Sequence, residues 1–199
     1  IEASYARGDV RNVADLADFL DGRLLTTAPV DAAFAAAATA NGASDLRELD
    51  HQLAIRTPSP RLRAVSRTLG RQLLRPAERA WPGAKYAALR ALHPDGPMQP
   101  VALGVVAGTA GLTPFDAALC SLHHLVGAVT TGAVRLLGLD PFEVHAIAAR
   151  LGPRLDALAS VAAEQAASLE PAALPATNSM LADVLAEHHA TWEVRLFAS

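Results

Sequence analysis

Lysine, cysteine and aromatic residues are scarce in this chain of 199 residues: Lys85 is the only lysine, Cys120 the only cysteine, and aromatics make up 5%. A single cysteine excludes an intrachain disulfide and a Cys-cluster metal site, and it fits a reducing compartment, so a cytoplasmic location is expected. Charge is sparse at 19% of residues and nearly balanced, with 17 basic against 20 acidic residues and a formal net charge of −3. That balance excludes an electrostatic case for nucleic acid or an anionic membrane as the main partner. No basic-then-apolar leader opens the chain, so no signal peptide is expected. Sustained alternation of apolar and polar residues is also missing, and no sheet is expected.

What the chain has in abundance is alanine, within a hydrophobic share of 51%. Alanine favours helix and lets helices pack closely. The expectation is therefore an all-α, single-domain bundle over residues 1–199, of about nine or ten helices. Asn12 caps a helix running to about Thr27, with Val13, Leu16, Leu20 and Leu24 at helical spacing. An Ala-rich run from Asp31 to Ala40 around Phe34 stops at Asn41-Gly42. A third helix opens at Ser44-Asp45, carries Leu46, Leu49, Leu53 and Ile55, and breaks at Thr57-Pro58-Ser59-Pro60. From Arg61 to Arg75 the spacing predicts an amphipathic helix whose apolar side is Leu62, Val65, Leu69 and Leu73. The stretch to Pro100 reads as loop-rich, with a short helix from Lys85 to Leu92.

From Val101 to Gly138 only Asp116 and Arg135 are charged. The uncharged run Ala117 to Val134 is long enough to span a bilayer. Its Ser121, His123, His124, Thr130 and Thr131 and its lack of aromatic or basic flanks favour a central buried helix, with Gly104, Gly108, Gly127 and Gly132 allowing close approach. A helix after Leu139-Asp140-Pro141 should end at Gly152-Pro153, with another from Arg154 to about Glu170 and a last one capped by Asn178 or Ser179.

Catalytic constellations are absent from this pattern. There is no GxSxG elbow, no HExxH and no phosphate loop, and Cys120 sits mid-helix among apolar residues, where a thiol is usually inert packing. The chain is read as not an enzyme. His123 and His124, like His188 and His189, are neighbours on predicted helices and point about 100° apart, which is poor geometry for one ion. Asp183 and Glu187 stand at i, i+4, a spacing that serves two ligands or a solvated acidic face alike. The closing Arg195-Leu196-Phe197 sets two large apolar side chains beside a guanidinium, which suits either an anchor for a partner or docking on the chain's own core.

Four segments carry a resemblance. The ending His189-Ala190-Thr191-Trp192-Glu193-Val194-Arg195-Leu196-Phe197-Ala198-Ser199 is similar to the closing signature of the urease accessory protein UreF family. Gly132-Ala133-Val134-Arg135-Leu136-Leu137 resembles that family's Ala-Val-basic-Leu segment. Arg63, Ser66 and Gly70 match its Arg, Ser and Gly spacing, and Ile1-Glu2 resembles the stretch after its Gly-rich motif. The chain departs from the family pattern at Arg61, at Asp140-Pro141 and at Ala190.

The resemblance implies a non-catalytic adaptor that joins the accessory protein UreD/UreH and the GTPase UreG in delivering nickel to apo-urease. No cofactor of its own is implied, since the complex handles the nickel, and a homodimer is a further option. By position, Glu2 and Arg135 would face the GTPase. His189, Thr191, Arg195, Leu196, Phe197 and Ser199 would form a tail, about residues 189–199, that docks on UreD or steadies the adaptor. The plainer readings are a helix C-terminal cation for Arg135 and a first-turn acid for Glu2. A competing function is a His-dependent nickel carrier using His123, His124, His188 and His189.

Overall fold

Prolines and capping side chains set most helix starts in the computed structural model, which describes residues 1–40, 43–83 and 85–192. Among these residues the chain forms ten α-helices, one 3-10 turn and no strand. They are α1 (Glu2–Ala6), α2 (Val13–Leu25), α3 (Thr27–Ala40), α4 (Ala43–Ile55) and α5 (Pro60–Ala80), then α6 (Lys85–Arg90), α7 (Gln99–Thr109), α8 (Pro114–Leu137), α9 (Pro141–Ser168) and α10 (Met180–Ala190). The 3-10 turn, Pro171–Ala173, lies between α9 and α10. The all-α expectation holds.

Asn12 accepts from the Asp15 N–H at 2.9 Å, Ser59 from Leu62 at 3.1 Å and Ser179 from Ala182 at 3.3 Å, so each satisfies a first-turn donor of its helix. Thr113 and Asp116 form a reciprocal capping box at α8. Asp140, one of the departures from the family pattern, caps α9 through Phe142 N–H at 2.9 Å, and Pro141 follows at the first helical position.

The helix buried all round is α3, against which α7, α8 and α9 pack. Phe34 and every alanine from Ala32 to Ala38 are buried, because small side chains let three neighbours approach at once. At Gly104 on α7 an added Cβ would lie 2.1 Å from the Ala35 carbonyl oxygen, and at Gly108 2.5 Å from that of Thr39. These two helices touch through their backbones.

Several expectations are corrected. α8 is not the central helix: it leaves Cys120, His123, His124, Gly127, Ala128 and Thr131 exposed along one face. Cys120 is therefore not core packing, and Gly127 has nothing within reach of a Cβ. By length and composition α8 could cross a membrane, and here it lies against α3, α7 and α9. α5 continues past Arg75 through Pro76, and α9 runs unbroken through Gly152-Pro153. Both prolines lie on exposed turns, where Gln72 and Ala149, each four residues before a proline, are themselves exposed. The carbonyls that lose their helical donors there can be satisfied by water.

The inward side of α5 also differs from the predicted one. Arg67, Gly70, Leu74 and Ala77 face the core, while Leu69 is 39% exposed and Leu62, Val65 and Leu73 are half-buried. The Arg67 guanidinium goes inward because it has a partner. It donates to Asp50 at 3.0 Å and to the Gly96 carbonyl at 2.8 Å, and Asp50 also accepts from Met98 N–H at 2.7 Å. This buried pair ties α4, α5 and the segment before α7 together.

A candidate docking site where helices from both halves meet

Three of the four segments that carry the resemblance converge on one corner, built from α1, α8 and α10. α10 packs on α1 and α5, and α1 packs on α8. The Glu2 carboxylate lies 3.0 Å from His189 Nε2, with Glu2 7% and His189 1% exposed. An added Cβ at Gly132 would lie 3.0 Å from the Ile1 side chain, so the small residue on α8 makes room for the start of α1. His189 in turn carries Trp192 edge-on, with ring centroids 4.9 Å apart, and Trp192 donates to His188 Nδ1 at 3.0 Å. Thr191 is exposed, and its hydroxyl donates to the His188 carbonyl at 2.8 Å.

The opposite side of α10 is fixed by Glu187. Its carboxylate accepts from the Ser59 hydroxyl and, at 2.9 Å, from Arg61 N–H at the start of α5. Those bonds, with Arg63 and Arg61 nearby, hold the Glu187 pKa below the usual carboxylate range. An anion is favoured at a helix N-terminus. At the start of α5 that anion is the Glu187 carboxylate, supplied by α10. The remaining matched residues are structural in the same way. Arg63 donates to the carbonyls of Thr57 and Pro58 at 2.6 and 2.8 Å, Ser66 accepts from Gln99 N–H at 2.9 Å, and a Cβ at Gly70 would fall 2.1 Å from the Pro97 oxygen.

The sequence-predicted site residues thus separate into groups. Glu2 and His189 are brought together and point at each other. Arg135 is exposed on α8, one turn beyond Gly132, and Thr191 is exposed at the end of α10. Arg195, Leu196, Phe197 and Ser199 lie outside the described residues. His123 and His124 are exposed on α8, while His188 and His189 engage Trp192 and Glu2. Among the described residues no group of three or more His, Cys, Asp or Glu side chains is placed to hold a metal ion. Asp183 and Glu187 do different work, one facing a cavity and the other capping α5.

That cavity is what sequence reasoning missed. It opens between α2, α3, α5, α8 and α10, has a volume of about 630 Å³, and is lined by Arg23, Asp31 and Asp183 as well as by apolar residues of α5 and α8. Burial raises the Asp31 pKa from 3.8 to about 6, against the opposing pull of Arg23. Burial likewise lowers the Arg23 pKa, with Asp31 and Asp183 acting to raise it. Only the i, i+4 acids of α10 gave a sequence signal; Arg23 and Asp31 sit on different helices and meet Asp183 only through the fold. Further out on α10, Met180, Leu181 and Val184 are 78%, 53% and 64% exposed.

Fold and site together define a class: an all-helical domain, with no strand among the described residues, whose first and last described helices meet at one corner. The family model UreF matches residues 10–152. The urease accessory protein UreF of Mycobacterium sp. (strain JLS) is 40% identical over 200 residues, covering 100% of this chain and 88% of that protein. That of Mycolicibacterium vanbaalenii is 37% identical over 206 residues with the same coverage. That of Mycobacterium tuberculosis (strain ATCC 25618 / H37Rv) is 35% identical over 193 residues, covering 95% of this chain and 83% of that protein. The chain belongs to the UreF family of urease accessory proteins.

Proposed function

We propose that this protein is a cytoplasmic adaptor in urease maturation, which joins a UreD/UreH-type partner and a UreG-type GTPase so that nickel, as cargo, reaches apo-urease. The observation that supports this most is the convergence of the resembling segments at one corner: Ile1-Glu2, Gly132 with Arg135, and His189 to Trp192. A catalytic role would call for a nucleophile, base and oxyanion donor in one place. An adaptor calls for a rigid frame that presents groups to partners, and buried contacts at a surface corner provide that.

In this reading Glu2 and His189 act as a clasp. Their buried contact sets where α1 and α10 sit, and so positions Arg135 and Thr191 toward the GTPase and the UreD/UreH partner, while the resemblance assigns the tail residues Arg195, Leu196, Phe197 and Ser199 to the UreD/UreH contact. Coupling between the two partners is then reciprocal: whatever one gains in affinity from the other, the other gains in return. A homodimer is compatible with the exposed face of α8. The competing reading, a nickel carrier, finds less support, because His188 and His189 already have partners within the chain.

The test is co-expression with the cognate UreD/UreH-type and UreG-type proteins, followed by size-exclusion chromatography with light scattering. A complex that forms with the full chain and is lost when residues 193–199 are removed, at unchanged helicity, is the expected result. Folded partners that elute apart from the full chain would overturn the reading.

A further inference from the structure

We infer that the cavity between α5, α8 and α10 receives an apolar segment of a partner protein that bears a basic side chain, its aliphatic residues on the α5 and α8 walls and its cation at Asp31 and Asp183. The inference rests on the adaptor reading and names the chemistry of one docked segment.

The first support is a surplus apolar face. α5 already fills its core-facing positions with Arg67, Gly70, Leu74 and Ala77. Leu62, Val65 and Leu69 form a second stripe at helical spacing, and this stripe lines the cavity opposite Leu125 and Val129 of α8 and Leu185 of α10. Large aliphatic side chains facing an open groove from three helices are the usual build of a helix-in-groove or peptide site.

The second support is charge. Arg23, Asp31 and Asp183 all line this cavity and act on one another through their charges, but among the described residues no hydrogen bond or close ion pair ties up any of the three side chains. Two carboxylates against one guanidinium leave that end negative, and the exposed Asp18 adds to it at the rim. The Thr27 hydroxyl is buried beside them without a partner. Arg56, also in the lining, directs its guanidinium to the carbonyls of Ala172, Leu174 and Pro175. A hydrophobic groove with an acidic end selects a segment that is apolar and basic, and it disfavours an acidic one by like-charge repulsion.

The experiment titrates the full chain with a fluorescein-labelled amphipathic helix of leucine and lysine, and with its leucine and glutamate counterpart, following anisotropy. The lysine peptide should bind saturably and the glutamate peptide should not. Asp31→Asn and Asp183→Asn should each weaken binding about tenfold, as expected for the loss of one charge pair. Leu69→Ser should weaken it without changing helicity, and Asp156→Asn, an exposed acid on α9, should leave it unchanged. Equal binding of both peptides, or affinities untouched by Asp31→Asn and Asp183→Asn, would overturn the inference. Co-purification of the UreD/UreH-type partner is scored in parallel. Recruitment of that partner without lysine-peptide binding overturns the groove alone, whereas peptide binding without recruitment upholds the groove and overturns the adaptor reading.

Discussion

Replacing Asp31 by Asn should stabilise the protein at neutral pH, by an amount that depends on pH in a defined way. The folded chain raises the Asp31 pKa from 3.8 to about 6, chiefly because burial penalises the carboxylate, with Arg23 offsetting part of the effect. A carboxyl whose pKa is raised on folding binds its proton more tightly in the folded state. Between about pH 4 and pH 6 the folded state therefore holds more protons than the unfolded state, and stability falls as pH rises through that window. A shift of about 2 units corresponds to roughly 3 kcal/mol at most. Because the side chain reaches an open cavity, about 1–3 kcal/mol is the expected cost above pH 6. Asn keeps the size and removes the titration. Urea unfolding of both proteins from pH 4 to pH 8 should show a difference near zero at the acid end, growing to a plateau above pH 6. An Asn variant less stable than the wild type at pH 7, or a difference that ignores pH, would refute the reasoning. A stability cost kept at a cavity wall is the trade expected where a residue serves binding.

Other perturbations test the frame around the site. Gly104→Ala should lower stability by about 1–3 kcal/mol or more, seen as a lower Tm, since the new methyl meets a carbonyl of α3 that cannot move freely. Asp50→Ala should cost about 3–5 kcal/mol in denaturant unfolding, because it leaves the buried Arg67 guanidinium and the Met98 N–H without their acceptor. Glu187→Gln should loosen α10, read as faster amide exchange over residues 180–190 after correction for intrinsic rates. Because the Glu187 pKa is depressed, its contribution is present above the ordinary glutamate value and fades as pH falls. The wild type should therefore lose protection in α10 on acidification, and the Gln variant should show a weaker dependence.

Capping chemistry made much of the fold legible. Asn12 and Ser179 each mark a helix start by a local hydrogen bond that a sequence displays directly, and Asp140-Pro141 announces α9, whereas Ser59 read as part of a break and proved to cap α5. Gly152-Pro153 and Pro76 misled for the opposite reason: whether a proline ends a helix depends on what its freed carbonyl faces, and that is a tertiary fact. The same holds for α5. Leucine spacing pointed to Leu62 and Leu69 as core, but Arg67 could turn inward because Asp50 and the Gly96 carbonyl, far off in sequence, wait there. At the site, Glu2 and His189 were visible as separate motif residues, yet nothing local says that they face each other across 187 positions. The cavity stayed hidden because its charged end is assembled from Arg23, Asp31 and Asp183 on three separate helices, which no local pattern joins.

In the proposed adaptor, partners dock at the corner of α1, α8 and α10. Hydrogen–deuterium exchange on the chain alone and in complex with its UreD/UreH-type and UreG-type partners tests it most directly. Added protection should concentrate in residues 1–10, 132–140 and 180–192. Protection confined to α4, α6 and the segment before α7, with those three regions unchanged, would contradict the account.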